Sequence, residues 1–117
     1  MVQEVSQGLY NLDKNAFQAT ITSADATSAT QVKAGVDGQK IYVLSLIVST
    51  DTAMNIQLQD DAGSPAVLME QVYLSANGGI SHMFHPQAPL ITANEVDLDV
   101  IASASGNISV TVTGYQI

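Results

Sequence analysis

His82 and His85 are the only imidazoles in the chain. Three residues apart on an extended segment, they project to opposite faces, because strand side chains alternate. They cannot share a metal ion unless the chain bends at Pro86, and a packed or rim position is the plainer reading. Asp60-Asp61-Ala62-Gly63-Ser64 is acidic and turn-forming, as oxygen-rich calcium loops are. It lacks the D-x-[DN]-x-[DN]-G spacing and reads as a solvated turn. Asp97 and Asp99 share one face of a strand, about 7 Å apart, and paired carboxylates at roughly that separation can hydrolyse glycosides. With no Trp and 5% aromatic residues there is no platform for a sugar, so an exposed polar face is expected instead.

No Gly-x-Ser-x-Gly elbow frames any of the eleven serines. Ala76-Asn77-Gly78-Gly79 falls between strands rather than before a helix, unlike a phosphate loop. Asn107-Ile108-Ser109 matches the glycosylation sequon, but it begins a strand and reads as coincidence. Cysteine is absent, which excludes disulfides, thiolate nucleophiles and Cys-type zinc sites. The expectation is a chain with no catalytic residues, no cofactor and no metal, and therefore not an enzyme.

The elements that would position these groups are strands. Val96, Leu98 and Val100 alternate with Asp97 and Asp99. Ile108, Val110 and Val112 alternate with Ser109, Thr111 and Thr113, and Met54, Ile56 and Leu58 with Asn55, Gln57 and Gln59. A period of two with one wet face is the strand signature. Turn residues separate the runs at Val36-Asp37-Gly38-Gln39, Asp60 to Pro65, Asn77-Gly78-Gly79 and Ser105-Gly106-Asn107. Eight strands follow: Gln18–Ser23, Thr30–Lys33, Lys40–Thr50, Ala53–Gln59, Ala66–Leu74, Gly79–His85, Glu95–Ser103 and Asn107–Gln116. Their regular spacing predicts an all-β, single-domain antiparallel β-sandwich over residues 18–117.

Two segments fit this pattern differently. In Lys40–Thr50, strict alternation puts Ile41, Val43 and Ile47 on one face and Tyr42, Leu44, Leu46 and Val48 on the other. A sandwich covers only one face of each sheet, so the second face needs a cover. Self-association through Tyr42, Leu44 and Leu46 would supply it. Residues 1–17 carry Val2, Val5, Leu9, Tyr10, Leu12 and Phe17 with no clean period. They read as an N-terminal arm that packs on a neighbour, with Val5, Leu9, Tyr10 and Phe17 as its contacts.

Composition limits the partners. The chain has 117 residues and 46% hydrophobic residues, enough for one domain's core. Its net charge is −8, from eight Asp and three Glu against three Lys and no Arg. So few cations cannot neutralise a phosphate backbone, so nucleic acid is not an expected partner. No apolar run is long enough for a membrane helix. MVQEVSQGLYNLDK lacks a basic stretch followed by an apolar one, so no secretion signal is expected there.

From Val36 to Ile117 the sequence resembles small tailed-phage virion proteins, above all the head decoration or cement proteins of cyanophage-like viruses. The resemblance rests on Gly38-Gln39-Lys40-Ile41-Tyr42-Val43, Ser75-Ala76-Asn77-Gly78-Gly79-Ile80, Phe84-His85-Pro86, Pro89-Leu90-Ile91-Thr92-Ala93 and Gly106 through Val110-Thr111-Val112-Thr113-Gly114-Tyr115. It implies a compact, jelly-roll-like sandwich, a homotrimer, made in the host cytoplasm and seated on the outer surface of the assembled head. The major capsid protein would be its partner, met through Val5, Leu9, Tyr10 and Phe17 of the arm, and an ion could lie where three copies of His82 or His85 converged on a trimer axis. The alternative is a tail- or fibre-associated binding module that recognises a host glycan through its loops.

Overall fold

The computed structural model describes residues 15–117. Nine strands follow in order: β1 (Ala16–Ser23), β2 (Thr30–Lys33), β3 (Ile41–Thr50), β4 (Met54–Asp60), β5 (Val67–Leu74), β6 (Gly79–Met83), β7 (Leu90–Ile91), β8 (Leu98–Ala102) and β9 (Ile108–Gln116). Turn chemistry sets their limits. Gln39 N–H closes onto the Val36 carbonyl at 3.0 Å, with Gly38 at φ 76°. Gly78 N–H closes onto Ser75 at 3.0 Å, with Asn77 at φ 59°. Glycine and asparagine reach this left-handed region at least cost.

Pairing is nested. β1 pairs β9, β2 pairs β8, β3 pairs β6 and β4 pairs β5, all antiparallel. First with last and second with next-to-last is the pattern of one long hairpin, folded at the loop 61–66. Rolling that hairpin adds the β3–β9 and β4–β8 pairings. The result is a sheet of order β1-β9-β3-β6, with β7 also on β3, facing a sheet of order β2-β8-β4-β5. Two such packed sheets from a rolled hairpin are a jelly roll. The all-β antiparallel sandwich expected from the alternation is the fold observed, with the two-residue β7 added.

The core fills the space between the central strands. Ile41, Val43, Leu46 and Val48 of β3 and Val110 and Val112 of β9 meet Ile56 and Leu58 of β4 and Leu98 and Val100 of β8. Each is essentially without solvent contact, and burying such a side chain contributes about 1.5–3 kcal/mol.

Two expectations are corrected here. The first concerns β3. Val43 pairs Gly114 and Ser45 pairs Thr113, which leaves Leu44 as an extra residue in a bulge. A bulge resets the alternation of every later side chain. Ile41 and Val43 point inward before it; Leu46, Val48 and Thr50 point inward after it. Leu46 is therefore core, with no exposed surface, and cannot belong to an outer face. The outward residues are Tyr42, Ser45, Ile47 and Ser49, with Leu44 half-buried in the bulge. Gly114 makes room for the distortion, because a Cβ there would collide with the Tyr42 carbonyl.

The second correction concerns the arm. Phe17 lies in β1, paired with Gly114. It packs partly against the core, and the Lys33 ammonium lies 5.1 Å from its ring centroid. Val5, Leu9 and Tyr10 lie outside the described residues.

The bulge makes a prediction that separates adjacent residues. Leu46→Ala removes a buried side chain and should cost about 2–5 kcal/mol. Ile47→Ala acts on an outward position and should cost under about 1 kcal/mol. Urea denaturation of both variants measures the contrast, and equal costs would contradict the shifted alternation.

Candidate functional site

The register of the larger sheet builds its outer face row by row. At the upper end Ala16, Tyr115, Tyr42 and Ile91 lie side by side across β1, β9, β3 and β7. Below come Gln18, Thr113, Ser45 and Met83, then Thr20, Thr111, Ile47 and Ser81. The last row is Thr22, Ser109, Ser49 and Gly79. None of these side chains carries a charge. Lys40 lies just above the top row, outside β3.

Internal contacts order the face. The Tyr42 and Tyr115 rings stack with centroids 4.6 Å apart and planes 12° apart. Thr20 and Thr111 hydroxyls lie 3.1 Å apart, and Ser45 and Thr113 share a hydrogen bond. Three apolar side chains remain open on it: Met83 is 80% exposed, Ile47 52% and Ile91 43%. Ile117 adds an exposed residue at the upper corner. Lone exposed apolar residues are ordinary, but several on one charge-free face mark it as a candidate interaction surface.

Charge collects instead around the loops at the upper end. Asp37, Asp60, Asp61, Glu95 and Asp97 lie there, in or beside the segments that join β2 to β3, β4 to β5 and β7 to β8. Several of these carboxylates hold backbone. Asp97 accepts from Gly35 N–H at 2.7 Å, and Glu95, at φ 70°, accepts from Gly38 N–H at 3.0 Å.

Asp60 is not the solvated turn residue expected from the sequence, because it is 2% exposed. Its carboxylate accepts N–H groups of Ala66 at 3.0 Å, Ala93 at 3.1 Å and Ala62 at 3.3 Å. It thus ties the β4–β5 loop to the segment after β7. Burial pushes its carboxyl up, but the three backbone donors outweigh that and hold it below the ordinary range. The local bond to Ala62 is an ordinary Asx turn and was open to sequence reasoning. The bond to Ala93, 33 residues away, had no sequence signal.

Asp99 also departs from expectation. It faces outward, as the alternation requires, yet it is only 4% exposed. It is central in the smaller sheet, with Gln31 opposite on β2 and Gln59 opposite on β4. Burial first, and then repulsion from Asp61, Asp97 and Asp60, raise its carboxyl above the ordinary range.

The histidines do not converge. His82 lies on the edge strand β6, its ring edge-on to Phe84 with centroids 4.7 Å apart. His85 is past the strand end, where its Nδ1 accepts from Gln87 N–H at 3.0 Å. Among the described residues no group of three or more His, Asp or Glu side chains is placed to hold a metal ion. Of the expected self-association residues, the face keeps Tyr42 and, at the bulge, Leu44. Sequence reasoning missed Ile47, Met83, Ile91 and Tyr115, because the first depends on the bulge and the rest on which strands neighbour β3.

No protein-family model matches the chain, and no curated protein sequence matches it. Among solved structures, the fold is similar to a viral major capsid protein, the STIV MCP, at 12% identity and a TM-score of 0.48 over 86% of this chain. The chain spans 40% of the length of that protein. It is also similar to the globular domain of the zebrafish complement 1qA protein, at 11% identity and a TM-score of 0.47, covering 86% of this chain and 95% of that domain.

The two buried carboxylates predict opposite responses to acid. Asp60 has a depressed folded-state pKa, so its stabilisation is full above the unfolded value of about 3.9 and is lost as pH falls through the folded value. Asp99 has a raised folded-state pKa. Its contribution is full below about 3.9 and is lost as pH rises through the folded value. Asp99→Asn should therefore raise the melting temperature at neutral pH. Asp60→Ala should lower it, with about 1–3 kcal/mol lost for buried donors left unpaired. Thermal melts across pH 3 to 7 read both, and the reverse order would refute these roles.

Proposed function

We propose that this chain is a structural virion subunit, a decoration protein that binds the outside of an assembled tailed-phage head and works as a homo-oligomer, a trimer. The observation that carries the reading is the uncharged outer face of the β1-β9-β3-β6 sheet, in a chain of net charge −8. Copies of such a chain repel one another. They approach most cheaply through the one broad face that brings no like charges together. Ser and Thr hydroxyls both donate and accept, so the same face can satisfy a second copy.

Size is consistent with this. Four strands about 4.8 Å apart and eight residues rising about 3.4 Å each span roughly 500 Å² in projection. Side-chain relief brings the accessible surface nearer the ~800 Å² per partner of a standard interface. Tyr42, Tyr115, Ile47, Met83 and Ile91 form its apolar part. Contact with the major capsid protein is assigned to residues 1–14, through Val5, Leu9 and Tyr10. Phe17 is excluded because it helps to complete the sandwich. Binding energy available only on the assembled shell stabilises that shell by linkage, multiplied over many copies. The negative charge disfavours contact with the packaged genome, which suits the outer surface.

The two contacts can be tested separately. Ile47→Asp places a charge at the centre of the face, at an exposed position that the fold tolerates. It should give a folded monomer with an unchanged circular dichroism spectrum. Removing residues 1–14 should leave the oligomer intact but abolish co-sedimentation with empty heads. An Ile47→Asp chain that stays oligomeric refutes the first contact, and a truncated chain that still sediments with heads refutes the second.

A further inference from the structure

An unpaired sheet edge offers backbone donors and acceptors to any strand that reaches it, and folded chains blunt such edges with short strands, bulges, charge or proline. The edges here are β1 and, on the far side, β6 and β7 in the larger sheet, and β2 and β5 in the smaller one. β2 has four residues, a bulge and Lys33. β5 shifts register against β4 and carries Glu70. β6 has five residues and β7 two. β1 has none of these guards: eight residues without charge, Gly or Pro, paired one-to-one with β9 and never out of register. We propose that the open edge of β1 pairs antiparallel with β1 of a second copy, so that two large sheets become one. The contact lies in the plane of the sheet, beside the outer face assigned above, and does not rest on that assignment.

Backbone direction shows which groups of β1 are free. Thr50 N–H donates to the Gly78 carbonyl at 3.0 Å, and Asp51 N–H to the Asn107 carbonyl at 3.2 Å. Past the bulge, even residues of β3 therefore bond β6, and its odd residues bond odd residues of β9. Even residues of β9 are left to bond β1, where Val110 and Val112 oppose Ile21 and Ala19. The even residues of β1, Gln18, Thr20 and Thr22 among them, thus point N–H and C=O away from the sheet. They are exposed. Among the described residues no turn or loop backbone bonds to these groups.

β1 itself is the strand that suits this edge. Antiparallel pairing of two identical strands is two-fold symmetric, so one geometry satisfies both copies. Even residues opposite even residues keep Gln18, Thr20 and Thr22 of both copies on the outer face, and Phe17, Ala19 and Ile21 of both on the core face. Those three apolar side chains are only partly buried at the rim of the core, and a second strand of the same alternation covers them. Residues 1–14 do not match, because their apolar residues have no period of two. Charge favours the same partner. β1 carries none in a chain of −8. Antiparallel pairing also sets Asp25, the first carboxylate past the strand, at opposite ends, roughly 30 Å or more apart by strand rise, against a Debye length of about 8 Å. One strand edge buries far less than the ~800 Å² per partner of a standard interface, so the contact is weak between free copies and closes where copies are held side by side.

Amide hydrogen exchange of the full-length ¹⁵N-labelled protein, followed as its concentration rises, tests the contact. Protection of Gln18, Thr20 and Thr22 should grow at least about tenfold from dilute to concentrated samples, while Ala19 and Ile21, already bonded to β9, stay unchanged. Gln18→Pro removes one free N–H at a position where an edge strand accepts proline. It should abolish the gain at Thr20 and Thr22 with an unchanged circular dichroism spectrum. Should that chain not fold, Gln18→Glu sets like charges across the pair and should abolish the gain instead. Ile47→Asp, a monomer when dilute, removes only the face contact and should keep the edge protection at high concentration. Fast exchange at the three amides at every concentration, full protection in a monomeric sample, or a gain that survives Gln18→Pro or Gln18→Glu would overturn the proposal. Edge protection in a chain whose mass is indifferent to Ile47→Asp would leave this contact standing and remove the face contact alone.

Discussion

The bulge at Leu44 decides what β3 hides and what it shows. β3 is a central strand with a neighbour on each side, so its alternation is locked into the whole sheet. With one unpaired residue, Leu46 and Val48 enter the core while Ser45, Ile47 and Ser49 turn outward. Without it, either Ile41 and Val43 or Leu46 and Val48 would be exposed, at a cost of several kcal/mol. Gly114 on β9 permits the distortion. The stacked Tyr42 and Tyr115 lie beside it, where the face is most apolar.

Electrostatics completes the division of the surface. Carboxylates concentrate at one end, where several hold loops by accepting backbone N–H groups. Asp60 and Asp99 share burial but not partners. Three donors make the charge of Asp60 an asset, while three neighbouring carboxylates make that of Asp99 a burden. The outer face of the larger sheet receives no charge within its strands. Its character therefore comes from hydroxyl rows graded toward an aromatic and aliphatic corner.

Much of the architecture was legible in the residues. Alternation in Met54–Asp60 and Ile108–Gln116 and the turns at Gly38 and Asn77 located strands to within a few residues, because those signals are local. The bulge was not legible: Lys40–Thr50 is apolar at both parities, so alternation could not show where the phase changed. The apolar content that suggested two greasy faces is shared between the core and a mostly hydroxyl face. Placement of Phe17 required knowing that β1 pairs β9, and burial of Asp99 required knowing that β8 is central.

In the proposed assembly, copies of this chain meet through the uncharged face while charge elsewhere holds them apart. Molar mass by light scattering, followed as ionic strength rises, tests it most directly, because salt screens repulsion between −8 subunits. A mass above the monomer that holds or grows with added salt is expected. A monomer at every salt concentration, or an oligomer that dissociates as salt is added, would contradict it.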